Sequence, residues 1–190
     1  MKRIYYLSLL SILIMCSSMK SLNAQTSKYF PDNCWGVYSW AGWNTRKVTK
    51  KSHPLIKGAP IILKWRDIEP EEGQFRFDEE IGKKLELAEK NEFYTFLMVW
   101  VAPHAPRWLY DNGVPELEMT PTINPLGKPR DWTFQYYLDE DYIGFYHRML
   151  TEFGNYLMSL PEHLRKRVLY IQSAEGSTGD GWGYKGDPLD

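Results

Sequence analysis

Cysteine is almost missing from this chain. The two present are Cys16 and Cys34. Cys16 falls in a leader-like segment, so only Cys34 remains in the mature part and no intrachain disulfide can form. Histidine is sparse as well. His53, His104, His147 and His163 are scattered without metal-ligand spacing, so neither a metal nor any other cofactor is expected. His147 and His163 read as structural, in and just after a helix. Charge of one sign is not in excess: the formal net charge is -1, with acids and bases interspersed. Without a basic stripe, nucleic acid is not an expected partner. The chain has no Gly-x-Ser-x-Gly elbow and no P-loop. Internal repeats and low-complexity linkers are missing too.

Long apolar runs are also lacking. The longest, at residues 4–15, is shorter than the roughly 20 residues that span a bilayer. It follows Lys2 and Arg3 and precedes Ser21-Leu-Asn-Ala24. That layout is a secretory signal peptide cleaved after Ala24, which predicts a secreted or periplasmic protein with no stable membrane span. The alternative is a lipoprotein anchored at Cys16, although Met15 is bulky where a small residue is expected. Taking 24 residues from 190 leaves 166. That is ample for one domain with a core. It is short of the roughly 250 residues of a complete eight-stranded barrel. Nothing in the sequence sets the oligomeric state.

Aromatic rings are what the chain has in quantity. They make up 15% of residues, enough either for a densely packed core or for a set of stacking surfaces. Trp and Tyr suit the second use because each pairs a large apolar face with a polar edge. The richest stretch is 168–184. It starts as an apolar strand and breaks into a Gly-rich loop, with Glu175 near the junction. The C-terminal end of a buried parallel strand is where a (β/α)₈ barrel keeps its catalytic groups. Trp182 and Tyr184 offer rings for sugar faces, and Asp180 offers an acceptor for a hydroxyl.

The rest of the mature chain alternates strand and helix. Residues 35–40 read as a first strand, and 43–58 as a loop or short helix. Residues 59–65 form a continuous apolar run of the kind buried on both faces. Asp78 stands where an N-cap belongs for a helix over 78–91, with Ile81, Leu85 and Ala88 at helical spacing and Asn91 as its stop. Residues 93–101 are the third strand. Residues 102–138 are too long for an ordinary connection and read as a functional loop. Asp139 then caps a strong helix. Its apolar stripe runs Tyr142, Phe145, Tyr146, Met149, Leu150, Phe153, Tyr156, Leu157, and Pro161 breaks it. Residues 168–172 are the fourth strand. Strands alternating with helices predict an α/β fold with a parallel sheet.

Three motifs sit at the expected C-terminal ends of strands. The first is Trp65-Arg66-Asp67-Ile68-Glu69-Pro70, followed by Gly73 and Phe75-Arg76-Phe77-Asp78. The second is Pro103-His104-Ala105-Pro106-Arg107-Trp108-Leu109. Prolines stiffen it and lower the entropy cost of presenting a ring. The third surrounds Glu175. Together they resemble the strand-end loops of clan A glycoside hydrolases, especially the β-galactosidase-like families. The resemblance implies a (β/α)₈ TIM barrel of which residues 25–190 are the N-terminal half, about four βα units. It implies that Trp65 and Arg66 line the cleft floor and that Phe75 and Phe77 pack a helix onto the barrel. Trp108 would stand at the rim of the site, and His104 is placed to bond a sugar hydroxyl. Arg66, Glu69, His104 and the Phe pair also have purely structural readings. Glu175, ending the fourth strand, corresponds to the general acid/base. The families usually carry Asn just before that Glu, whereas Ala174 stands here. Either another side chain holds the substrate 2-hydroxyl or Glu175 has a different role.

The expected function is hydrolysis of O-glycosidic bonds in oligo- or polysaccharides by a pair of carboxylates. The resemblance puts the nucleophile on the seventh strand, beyond Asp190, so the chain by itself is expected to be inactive. The alternative from another class is a non-catalytic carbohydrate-binding protein. It would stack sugars on Trp108, Trp182 and Tyr184, with Glu175 and Asp180 accepting hydroxyls. A structural protein with a degenerate barrel is a third.

Overall fold

A computed structural model describes residues 30–40, 49–118, 122–123, 129–130 and 133–172. The expected leader at 1–24 and four expected site residues, Glu175, Asp180, Trp182 and Tyr184, lie outside them. The chain divides into two compact units, residues 1–35 and 36–190. In the first, a 3₁₀ turn spans Asp32–Cys34, and the Phe30 ring meets Trp35 edge-on at 6.0 Å. Cys34 is buried.

The second unit is mixed α/β, built on parallel strands as expected. Strand β1 (Val37–Tyr38) pairs parallel with β2 (Ile56–Gly58). Strand β3 (Ile61–Lys64) follows at once. The apolar run at 59–65 is thus interrupted at its start, because Pro60 has no N–H to give a ladder. Thr95 repairs the gap: its hydroxyl donates to the Ala59 carbonyl at 2.7 Å. Gly58 is bridged to Tyr94 at this point, and a Cβ on it would lie 1.7 Å from the Tyr94 oxygen. Only glycine lets the two backbones come this close.

Trp65 was expected to end the strand. Instead it opens a one-turn helix, α1 (Trp65–Ile68). The next helix departs from expectation as well. Phe77 already has helical dihedrals, so Asp78 is not a cap. A π-helical stretch, Asp78–Gly82, runs straight into α2 (Lys83–Lys90). The Asp78 carboxylate accepts from the Tyr156 hydroxyl at 3.3 Å instead of capping. Asn91 does stop the helix, with its N–H and side-chain amide both on the Leu87 carbonyl.

Strand β4 (Thr95–Trp100) is buried almost throughout. The stretch read as one long loop has structure of its own. It holds a short helix, α3 (Trp108–Asp111), then β5 (Glu116–Glu118), β6 (Thr122–Ile123), β7 (Pro129–Arg130) and β8 (Thr133–Gln135). These strands pair antiparallel, β5 with β8 and β6 with β7, so the excursion folds back on itself. Helix α4 (Glu140–Ser159) matches its prediction. The Asp139 side chain accepts from the Tyr142 N–H at 3.0 Å, and regular structure ends before Pro161. A short helix, α5 (Glu162–Arg165), leads into β9 (Val168–Gln172).

Strand β4 lies between β3 and β9, parallel to both. Side chains of successive residues alternate between the two faces. Ile61, Leu63, Leu97 and Val99 join Ile81, Leu85, Met149, Phe153 and Leu157 in the main core, so α2 and α4 cover that face. Leu150 is the exception on the predicted stripe of α4, being 38% exposed. The opposite face carries Phe96 and Met98. Tyr170 stacks on Phe96 with ring centroids 4.9 Å apart, and Trp40 tilts against it at 6.0 Å. Among the described residues no helix is long and apolar enough to cross a membrane.

Candidate functional site

The loops leaving β3 and β4 at their C-terminal ends are stitched together. The Arg66 N–H donates to the His104 carbonyl at 3.0 Å, and the His104 N–H to Val101 at 2.6 Å. Four residues expected to bind ligand, Trp65, Arg66, His104 and Trp108, therefore lie on neighbouring turns.

Their environments differ. Trp65 has no exposed surface. Its ring meets Trp108 edge-on at 6.2 Å and leans on Tyr142 and Tyr146. A ring enclosed by protein has no face for a sugar, so the cleft-floor expectation gives way to a core role. The physical reason is the helical turn at Trp65, which lays the indole against α4. Arg66 is exposed. Trp108 is partly buried, and its indole N–H donates to the Glu69 carbonyl at 2.9 Å.

Glu69 is the hub of this end of the sheet. Fully buried, it accepts from the Trp65 indole at 2.7 Å, the Gly73 N–H at 2.9 Å and Arg148 at 2.7 Å. Gly73 has φ 73°, the left-handed region glycine tolerates, which turns its N–H back onto the carboxylate. Arg148 also bonds Glu72 at 2.9 Å, and its guanidinium lies over the rings of Trp108 and Phe145. Burial opposes the charge on Arg148, but bonds to Glu72 and Glu69 outweigh it and hold the guanidinium above its ordinary value. The Arg148 bond keeps the Glu72 carboxyl below the usual range, with a smaller contribution from Asn112. A buried charge needs this degree of satisfaction to be tolerated. The network clamps the Trp108 indole from its edge and its face.

His104 is the electrostatic outlier. Burial, then the charges of Arg66 and Lys64, push its imidazole down to about 4, against a weaker opposing pull from Asp67. At neutral pH it is an uncharged donor and acceptor. Its Nδ1 is buried with no hydrogen-bond partner among the described residues. The ring meets Trp100 edge-on at 4.9 Å.

Three contributors escaped the sequence reading. Arg148 was not singled out at all. Trp100 was counted only as strand. Lys64 carried a usable signal, a single charge ending the apolar run of a buried strand. Among the described residues no group of three His, Cys, Asp or Glu side chains is placed to hold a metal. No protein-family model matches the chain, and no curated protein matches it.

Proposed function

We propose that the chain is the N-terminal half of a (β/α)₈ barrel of glycoside hydrolase type, acting outside the cytoplasm on oligo- or polysaccharides. One observation carries this reading. The loops that follow β3 and β4 meet at the C-terminal ends of these parallel strands, where the Arg66 N–H bonds the His104 carbonyl and the His104 ring meets Trp100. Ligands of α/β proteins bind at that edge. Laying β3, β4 and β9 side by side in chain order is also what a barrel requires of consecutive βα units. Trp108, rigidly held yet partly open, is the ring offered to a sugar. Glu175, three residues past the end of β9, is the proposed general acid/base, and the second carboxylate belongs to a strand beyond this chain.

The test has two arms. The chain itself should bind oligosaccharides, and Trp108→Ala should weaken that binding at least tenfold. In a version extended through the downstream reading frame, Glu175→Ala should slow natural glycosides far more than aryl glycosides with acidic leaving groups. Azide should restore turnover, since it attacks a glycosyl-enzyme without base help. Equal losses on both substrates without azide rescue would remove Glu175 from the acid/base role. Sugar binding without turnover in the extended protein would favour the non-catalytic binding protein.

A further inference from the structure

Lys64 closes β3 directly opposite Trp100 on β4. Partners in a parallel ladder point to the same face, so the ammonium stem and the indole share the face that carries Met98. His104 joins them through its edge contact with Trp100. Arg66 joins them through its backbone bond to His104. The charges of Lys64 and Arg66 both reach the imidazole, as does that of Asp67.

About half of the other cations in the described residues have a carboxylate at hand: Lys50, Lys84, Arg107, Arg148, Lys166 and Arg167 each hold one. Lys64 and Arg66 stand two residues apart where β3 ends, and neither side chain has a salt bridge or hydrogen bond to a described residue. The imidazole feels two cations and one carboxylate, Asp67, and stays neutral at neutral pH. The buried Nδ1 of that histidine also lacks a partner among the described residues. A half-buried ammonium beside an aromatic ring, with an exposed guanidinium and an unfilled polar atom close by, is the arrangement of a site short of its anion.

We propose that Lys64, Arg66 and His104 form a subsite for an anionic sugar residue, one bearing a carboxylate or a sulfate ester, next to the Trp100 indole. This rests on the carbohydrate reading above and narrows its substrate class. The planar guanidinium of Arg66 matches either anion through two parallel bonds, and Lys64 adds a point charge. Neutral His104 bonds a hydroxyl of the same ring. Asp67 accepts from another hydroxyl and disfavours a second anion alongside.

The experiment is calorimetric titration of the chain with three trisaccharides: an oligouronide, a sulfated galactan oligomer and an uncharged galactan oligomer. At least one acidic trisaccharide should bind tenfold or more tighter than the neutral one. Tightest binding of the oligouronide assigns the anion to a carboxylate, and tightest binding of the sulfated oligomer assigns it to sulfate. Arg66→Gln, an exposed position, should reduce the preference at least fivefold with an unchanged circular dichroism spectrum. Lys64→Gln should act in the same direction, and the His104 ring resonances should shift on binding. Equal binding of neutral and acidic trisaccharides, unaffected by Arg66→Gln, overturns the subsite and leaves the carbohydrate reading standing. Binding of none of the three overturns both.

Discussion

Replacing Arg148 by Met should destabilise the second unit more than any other single change on the exposed side of α4. Among the described residues the guanidinium is the sole cation bonded to Glu69, and Glu69 is fully buried. Breaking a buried ion pair from one side costs about 3–5 kcal/mol, because the remaining charge is left without its partner. Two features pull the figure toward the lower end. Arg148 is one-third exposed, and Glu69 keeps the Trp65 and Gly73 donors. About 3 kcal/mol is the expected loss. In a chain of this size, about 1 kcal/mol lowers Tm by roughly 2–4 °C, so the drop should be near 9 °C. Urea unfolding followed by tryptophan fluorescence reads it directly, since Trp65 and Trp108 both border the network. Glu69→Gln combined with Arg148→Met should recover part of the loss, because the buried charge is gone. A single-variant loss below about 1 kcal/mol, or a double variant weaker than the sum of the two singles, would refute the idea that Glu69 depends on Arg148.

Other outcomes follow from particular contacts. His104 is depressed to about 4 in the folded chain against an ordinary value of 6.5, so the unfolded state binds more protons between those two values. Its contribution to stability is therefore present above about 6.5 and lost as pH falls toward 4. NMR titration should place the His104 midpoint near 4, and His104→Gln should flatten the stability profile across that window. Gly58→Ala drives a methyl into the Tyr94 carbonyl and should cost about 3 kcal/mol or prevent soluble expression. Asp139→Ala removes the N-cap of α4 and should cost about 1 kcal/mol in the same unfolding assay, with Asp139→Asn retaining most of it. N-terminal sequencing of exported protein should begin at Gln25, and a chain starting at lipidated Cys16 would reverse that expectation.

How much was legible beforehand depended on how local the physics was. Helix α4 could be read completely at its ends, since a cap at Asp139, a 3.6-residue stripe and a stop at Pro161 are properties of contiguous residues. The parallel strands at 93–101 and 168–172 were legible for the same reason, as short apolar runs between helical segments. Other features needed contacts from far along the chain. Thr95 heals the break at Pro60 across 36 residues. Asp78 turns to Tyr156 and gives up its capping role, a pairing over 78 residues. Glu69 meets Arg148 across 79, and that meeting decides that Trp65 is core while Trp108 stays partly open. Leu150, apolar and in phase with the stripe, is exposed because helix docking decides which part of a wide stripe is covered. Residue types and spacing thus determined which segments become strands and helices and which strand ends carry polar groups. Only the docking of α4 against the β3 and β4 loops decided which polar groups are spent holding the fold together. The same docking left Lys64, Arg66 and His104 with polar capacity that the described residues do not fill.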